Sequence, residues 1–168
     1  MPLTKIQSLG ITDGTIVNAD INASAAIAGT KLSGAGKVLQ VVQNTFTSSG
    51  APSLTATSFT AFDSVTASIT PSSASNKVLI LLATNVYAPS GGTLFLTIAK
   101  GSTNLGGTKG FSQKSTANWG SATMVYLDSP STTSSTTYNL YARVDSGEGF
   151  MYGDSGSVNT ITLIEIAV

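Results

Sequence analysis

KVLILLATNVYA, Lys77 to Ala88, is the stretch on which the fold turns. It is an almost unbroken apolar run, and periodicity alone does not separate a buried strand from a buried helical segment. Its β-branched residues and its flanks do. Ser72-Ser73-Ala74-Ser75-Asn76 precedes it and Pro89-Ser90-Gly91-Gly92 follows it, and clusters of this kind punctuate strands. The expectation is a strand covered on both faces, at the centre of a sheet.

The neighbouring segments read the same way. KVLQVVQN (Lys37–Asn44) is apolar and β-branched, and SFTAFDSVTASITP (Ser58–Pro71) alternates through Phe59, Ala61 or Phe62, Val65, Ala67 and Ile69. TLFLTIAKG (Thr93–Gly101) sets Leu94, Leu96 and Ile98 against Phe95 and Thr97. ATMVYLDSP (Ala122–Pro130), TTYNLYARVDS (Thr136–Ser146), GFMYGD (Gly149–Asp154) and NTITLIEIAV (Asn159–Val168) follow, separated by turn-forming stretches such as GSTN, DSPSTTSS and DSGEG. With no amphipathic helix among them, these strands predict an all-β antiparallel sandwich or jelly roll of eight or nine strands. The last strand carries Ile161, Leu163, Ile164 and Ile166 around Glu165, apolar on both faces. It is expected to be central or to line a subunit interface.

The composition changes near Gly34-Ala35-Gly36. Residues 1–36 read as an extended N-terminal arm and 37–168 as the β domain. In the arm, Ile6, Ile11, Ile16 and Ile21 fall five residues apart, continued by Ile27 and Leu32, with Leu9 alongside. That step matches neither helix nor strand and lacks the heptads of a coiled coil. One thin chain does not bury such a column, so sister chains or another surface must cover it. Small residues from Ala23 to Gly29 would let three backbones approach closely.

Composition narrows the chemistry. Of 168 residues only 10% are charged, net charge is zero, and Ser and Thr make up 48 (24 each). A hydroxyl-rich, nearly uncharged surface suits packing against like subunits better than a solitary soluble monomer. There is no Cys and no His, so thiol chemistry, zinc–thiolate sites and a Ser–His–Asp triad around Ser155 are excluded. Asp145, Glu148 and Asp154 share one neighbourhood but do not follow a calcium-loop pattern, and read as turn formers. GSTNLGGTKGF (Gly101–Phe111) lacks the order of a phosphate loop and reads as a hairpin and mobile loop. No catalytic residue, metal site or cofactor is expected. Scattered lysines and a single arginine make no nucleic-acid stripe. No apolar run is long enough to insert in a bilayer, and MPLTKIQSLG has no secretory h-region. Among aromatic residues, Trp119 falls in the polar, loop-like stretch SQKSTANWGS. With Phe111, Lys114 and Tyr152 it forms the candidate set for contact with a receptor or glycan, since tryptophan on a polar loop often stacks on a sugar or anchors a protein contact.

ITDGTIVNADINASAAIAGTKLSG (Ile11–Gly34) resembles a repeat unit of tailed-phage structural proteins, notably of phages infecting cyanobacteria, where it often precedes a C-terminal β domain. TPSSASNKVLILLA (Thr70–Ala83), LDSPSTTSSTTYNLYARVDSG (Leu127–Gly147) and ITLIEI (Ile161–Ile166) resemble that β domain, in the same order. The resemblance implies a virion fibre or decoration protein with a jelly-roll knob similar to trimeric knobs of the tumour necrosis factor and complement C1q type. Tail fibres of that family are usually long, with the repeat deep inside. Here the arm starts at Met1, so the arm itself is the expected attachment to capsid or tail proteins. Fully extended, it would reach on the order of 100 Å at about 3.3 Å per residue. The expectations are a homotrimer in the virion, assembled in the host cytoplasm, on the capsid or as a head fibre. The alternative is a short tail fibre whose loops around Gly106–Ser121 and Asp145–Ser157 bind host surface glycans.

Overall fold

The structure, a computed structural model, describes residues 37–168; the arm positions Ile6, Leu9, Ile11, Ile16, Ile21, Ile27 and Leu32 lie outside the described residues. Eleven strands occur in the order β1 (Val38–Thr47), β2 (Ser53–Leu54), β3 (Thr60–Ile69), β4 (Lys77–Tyr87), β5 (Leu94–Lys100), β6 (Thr103–Asn104), β7 (Ser112–Lys114), β8 (Trp119–Asp128), β9 (Thr136–Val144), β10 (Gly149–Met151) and β11 (Val158–Ile166). One 3₁₀ turn, Gly107–Lys109, interrupts them. All pairings are antiparallel.

The first sheet runs β1-β11-β4-β8, with β10 and β2 continuing beside β4 where β11 leaves it. The second runs β3-β9-β5-β7, with β6 also on β5. Counting only the strands of the two four-stranded layers, the orders are first-eighth-third-sixth and second-seventh-fourth-fifth. This is the jelly-roll arrangement of an all-β sandwich. The additional strands β2, β6 and β10 are two or three residues long and exist through tertiary pairing.

Alternation fills the core. Val78, Ile80, Leu82 and Val86 of β4, Leu94, Leu96 and Ile98 of β5, Leu140, Ala142 and Val144 of β9, and Ile161 and Leu163 of β11 are fully buried between the layers. In β3 the register shifts between Phe62 and Thr66. That irregularity puts Phe62 against the core while Val65, Ala67 and Ile69 are buried, which resolves the choice between Ala61 and Phe62. β4 is central, as its sequence predicts, but it is not covered on both faces. Its other side chains, Leu79, Leu81, Ala83, Asn85 and Tyr87, stay partly or fully exposed.

Buried polar groups pin the layers. At the end where β4 begins, the fully buried Glu165 accepts hydrogen bonds from Asn76 Nδ2 (2.6 Å), Gln40 Nε2 (2.6 Å), Ser72 Oγ (2.8 Å) and Ser72 N (2.7 Å). Nearby, Asp128 of β8 bridges to the second sheet, accepting from Lys100 Nζ (3.0 Å) and from the hydroxyl of fully buried Tyr138 (2.6 Å). Burial, and next the bond to Asp128, raise the Tyr138 pKa far above the usual phenol range. Where β11 and β4 diverge, the Asn159 amide stands in for the missing ladder. Its Oδ1 accepts from Thr84 Oγ1 and the Asn85 amide, and its Nδ2 donates to the Tyr152 carbonyl.

Burial by itself would push the Glu165 pKa up, but the bonds from Asn76, Gln40 and Ser72 outweigh it and hold it at about 2, against 4.5 ordinarily. A depressed native pKa gives stability that is complete above the unfolded value and is lost as pH falls from about 4.5 toward 2. Glu165→Gln should therefore destabilise the domain at pH 7 by about 3 kcal/mol, hydrogen bonds to charged groups contributing roughly 1.5–3 kcal/mol each. It should also flatten the acid limb of the stability curve between those pH values. Urea unfolding from pH 7 to pH 3 checks this, and a variant profile parallel to the wild type would exclude Glu165 as the source.

Candidate functional site

The register places the outward side chains of the first sheet in rows. Val41, Ile164, Leu79 and Leu127 lie across β1, β11, β4 and β8 in one row, and Gln43, Thr162, Leu81 and Val125 in the next. A third row is Thr45, Thr160, Ala83 and Thr123. None of these carries a charge. Several are large and open to solvent: Val41 is 58% exposed, Val125 57%, Leu127 45% and Leu81 36%. A charge-free face with several large apolar side chains open to solvent marks an interaction surface.

At the far end of the same face three aromatic rings meet. Tyr87 and Trp119 are cross-strand partners on β4 and β8, and Phe150 of β10 pairs with Tyr87 from the other side. Ring centroids are 5.5 Å apart for Tyr87–Trp119, 6.0 Å for Tyr87–Phe150 and 6.5 Å for Trp119–Phe150. With Ala51 they line an open apolar depression of about 310 Å³. Trp119 is 40% exposed.

The structure separates the four candidate contact residues. Trp119 opens β8 instead of lying in a loop, because its pairing with Tyr87 extends the ladder by a residue. Lys114 ends β7 across the short connection to β8, its Nζ donating to Asn118 Oδ1 at 2.6 Å. Phe111 is half-buried against Tyr126, 5.1 Å between centroids, and packs on the core. Tyr152 is removed from the surface: it is 5% exposed, held edge-on by Phe46 and Phe62 at 5.0 and 5.5 Å, and burial pushes its pKa up to about 12. The two loop regions read from sequence do meet, but through Trp119 and Phe150 at Tyr87. Tyr87 and Phe150 were not in the candidate set; the signal for them was their place at the ends of strands, legible only once the register is known.

In the second sheet the outer side of β5 is covered by its own chain. The β5–β7 connection folds back over β5, where Leu105 N donates to the Ile98 carbonyl and Phe111 N to the Leu96 carbonyl. It thereby buries Phe95, Thr97 and Ala99 on the outer face. Gly110, at φ +68°, lies so close to the Leu96 carbonyl that a Cβ there would collide with it. The loop read as mobile is thus tied to the sheet. Of the acidic neighbourhood, Asp145 accepts from the Thr93 amide at 2.6 Å, and that bond lowers its pKa. It acts as a turn residue. Among the described residues no three acidic side chains come together as a metal site.

No family model matches the chain, and no curated protein matches it.

Replacing Tyr87 by Leu removes both edge-on contacts of the aromatic trio, each worth about 0.5–1.5 kcal/mol beyond its buried area. The melting temperature should fall by a few degrees, and the emission of Trp119, the sole tryptophan, should shift to the red. Unchanged emission would show that Tyr87 does not shield the indole.

Proposed function

We propose that the protein is a structural component of a phage virion: a homotrimeric capsid decoration or head-fibre protein, attached through residues 1–36 with the β domain as its knob. The observation that carries the trimer is the outer face of the first sheet. A face with Val41, Leu79, Leu81, Val125, Leu127 and Ile164 uncovered and no charge among them is costly in water, and association removes that cost. Low charge over the whole chain favours the same reading. The virion assignment is supported by the resemblance of Ile11–Gly34 to the tailed-phage repeat. It places assembly in the host cytoplasm and the capsid or tail proteins as partners of the arm.

A second reading, a short tail fibre binding host surface glycans, is favoured by the depression at Tyr87, Trp119 and Phe150, since aromatic faces exposed beside polar groups stack on sugar rings. Copy number separates the two: quantitative gel densitometry of purified particles should show many copies for a decoration protein and only a few trimers for a fibre.

Light scattering on the full chain at micromolar concentration should give a trimer mass. Leu79→Asp or Val125→Asp should give a folded monomer with an unchanged far-ultraviolet dichroism spectrum. A wild-type monomer would overturn the trimer. Deleting residues 1–33 should abolish incorporation into particles while leaving the β domain folded; normal incorporation would remove the arm as the anchor.

A further inference from the structure

Arg143 is the sole arginine of the chain. It points outward from β9 in the second sheet, the layer opposite the proposed trimer face. Its guanidinium lies over the Phe95 ring, 3.8 Å from the centroid, and 5.3 Å from that of Phe59. Nη2 donates to the Thr108 carbonyl at 2.9 Å. No carboxylate pairs with it: Lys100–Asp128 is the one ion pair among the described residues. An open groove of about 480 Å³ runs past it, lined by Thr57, Ser58 and Phe59 on one side and Asn104, Gly107 and Thr108 on the other.

We infer that this groove binds an acidic saccharide, with Arg143 holding a sugar carboxylate. The Phe95 ring takes up one face of the guanidinium and Phe59 stands alongside, which leaves its edge to a ligand. That edge presents coplanar N–H groups, which match a planar carboxylate and not a spherical ion. The rings and the Thr108 bond also fix the side chain in advance, which lowers the ordering cost of binding. Around the edge, the hydroxyls of Thr57, Ser58 and Thr108 make no hydrogen bond among the described residues and are free for sugar hydroxyls. Asn104 is committed instead to shaping the wall. Its Oδ1 accepts from Thr97 Oγ1 and Gly106 N, and its Nδ2 donates to the Gly107 carbonyl. Phe59, half-exposed beside the cation, offers a ring for the apolar face of a pyranose. An acidic peptide would supply the carboxylate, but it carries only one backbone donor and one acceptor per residue, whereas a sugar presents a run of hydroxyls that matches the hydroxyl-lined wall. This groove does not depend on the trimer, and its test is separate.

Trigalacturonic acid titrated into the full chain, followed by amide chemical shifts, should move Thr57, Ser58, Gly107 and Thr108 with millimolar or tighter affinity. Neutral trigalactose should not. R143Q should weaken binding roughly tenfold or more, about the loss of one charge-assisted pair. R143K, which keeps the cation over Phe95 but loses the two-pronged edge, should weaken it as well. A Thr57→Ala, Ser58→Ala double variant should weaken it several-fold with an unchanged melting temperature, which keeps the test valid if R143Q unfolds. Equal binding of the neutral trisaccharide, no movement of these amides, full affinity in R143K, or stronger binding of hexaglutamate would each overturn the assignment.

Discussion

β4 is apolar on both sides, yet a two-layer sandwich covers only one side of each sheet. The inner half, Val78, Ile80, Leu82 and Val86, is satisfied by the opposing strands β5 and β9 and makes the core. The outer half, Leu79 and Leu81 with Val125 and Leu127 beside them, is left facing outward by the same register. A one-residue slip would exchange the two sets and put Asn85 and Lys77 toward the core, so the register is strongly specified. The two sheets then diverge. The second folds its β5–β7 connection and Arg143 over Phe95, Thr97 and Ala99, covering the outer side of β5 from within. The first has no such cover among the described residues. That asymmetry is what gives the domain a distinguishable inside-facing and outside-facing layer.

Polar pins hold this arrangement at defined points. Apolar packing tolerates sliding; a buried carboxylate with four donors does not. Glu165 ties β11 to β1 and to the connection before β4, and Asp128 ties β8 across to β5 and β9. Asn159 fills the place where backbone pairing fails, so β11 leaves β4 without orphaned groups. Asp128 spans the two layers, as does Asn44 of β1, whose Nδ2 donates to the Thr66 carbonyl of β3 at 2.8 Å. Removing one partner leaves the other buried and unpaired, which costs more than the bond contributes.

Much of the fold was legible in the sequence. Leu94, Leu96 and Ile98 against Phe95 and Thr97 announced the two sides of β5, and the flanks of Lys77–Ala88 placed the central strand. What alternation does not report is which outer face is covered. Phe95 and Leu81 look alike in sequence, and it is the folding back of Gly101–Phe111, with Arg143 laid over the ring, that buries the former. Trp119 sits among polar residues and reads as a loop, because the ladder that makes it a strand depends on Tyr87, far away in the chain. Tyr152 is in the candidate set, yet Phe46 and Phe62 close over it from β1 and β3, contacts that its local sequence does not report. Arg143 carried a signal that went unread: a lone cation between inward-pointing Ala142 and Val144 must project from the sheet and needs something to lie against.

The pairing of β1 with β11 has a practical side. The first and last strands run alongside each other for their full length, and Ala167 N donates to the Lys37 carbonyl at 2.7 Å. A tag or displayed peptide appended after Val168 would therefore emerge beside Lys37. The connection between Lys114 and Trp119, which crosses from the second sheet to the first at the opposite end of the sandwich, is the better place to graft cargo, since an insertion there stays clear of both ends of the β1–β11 pair.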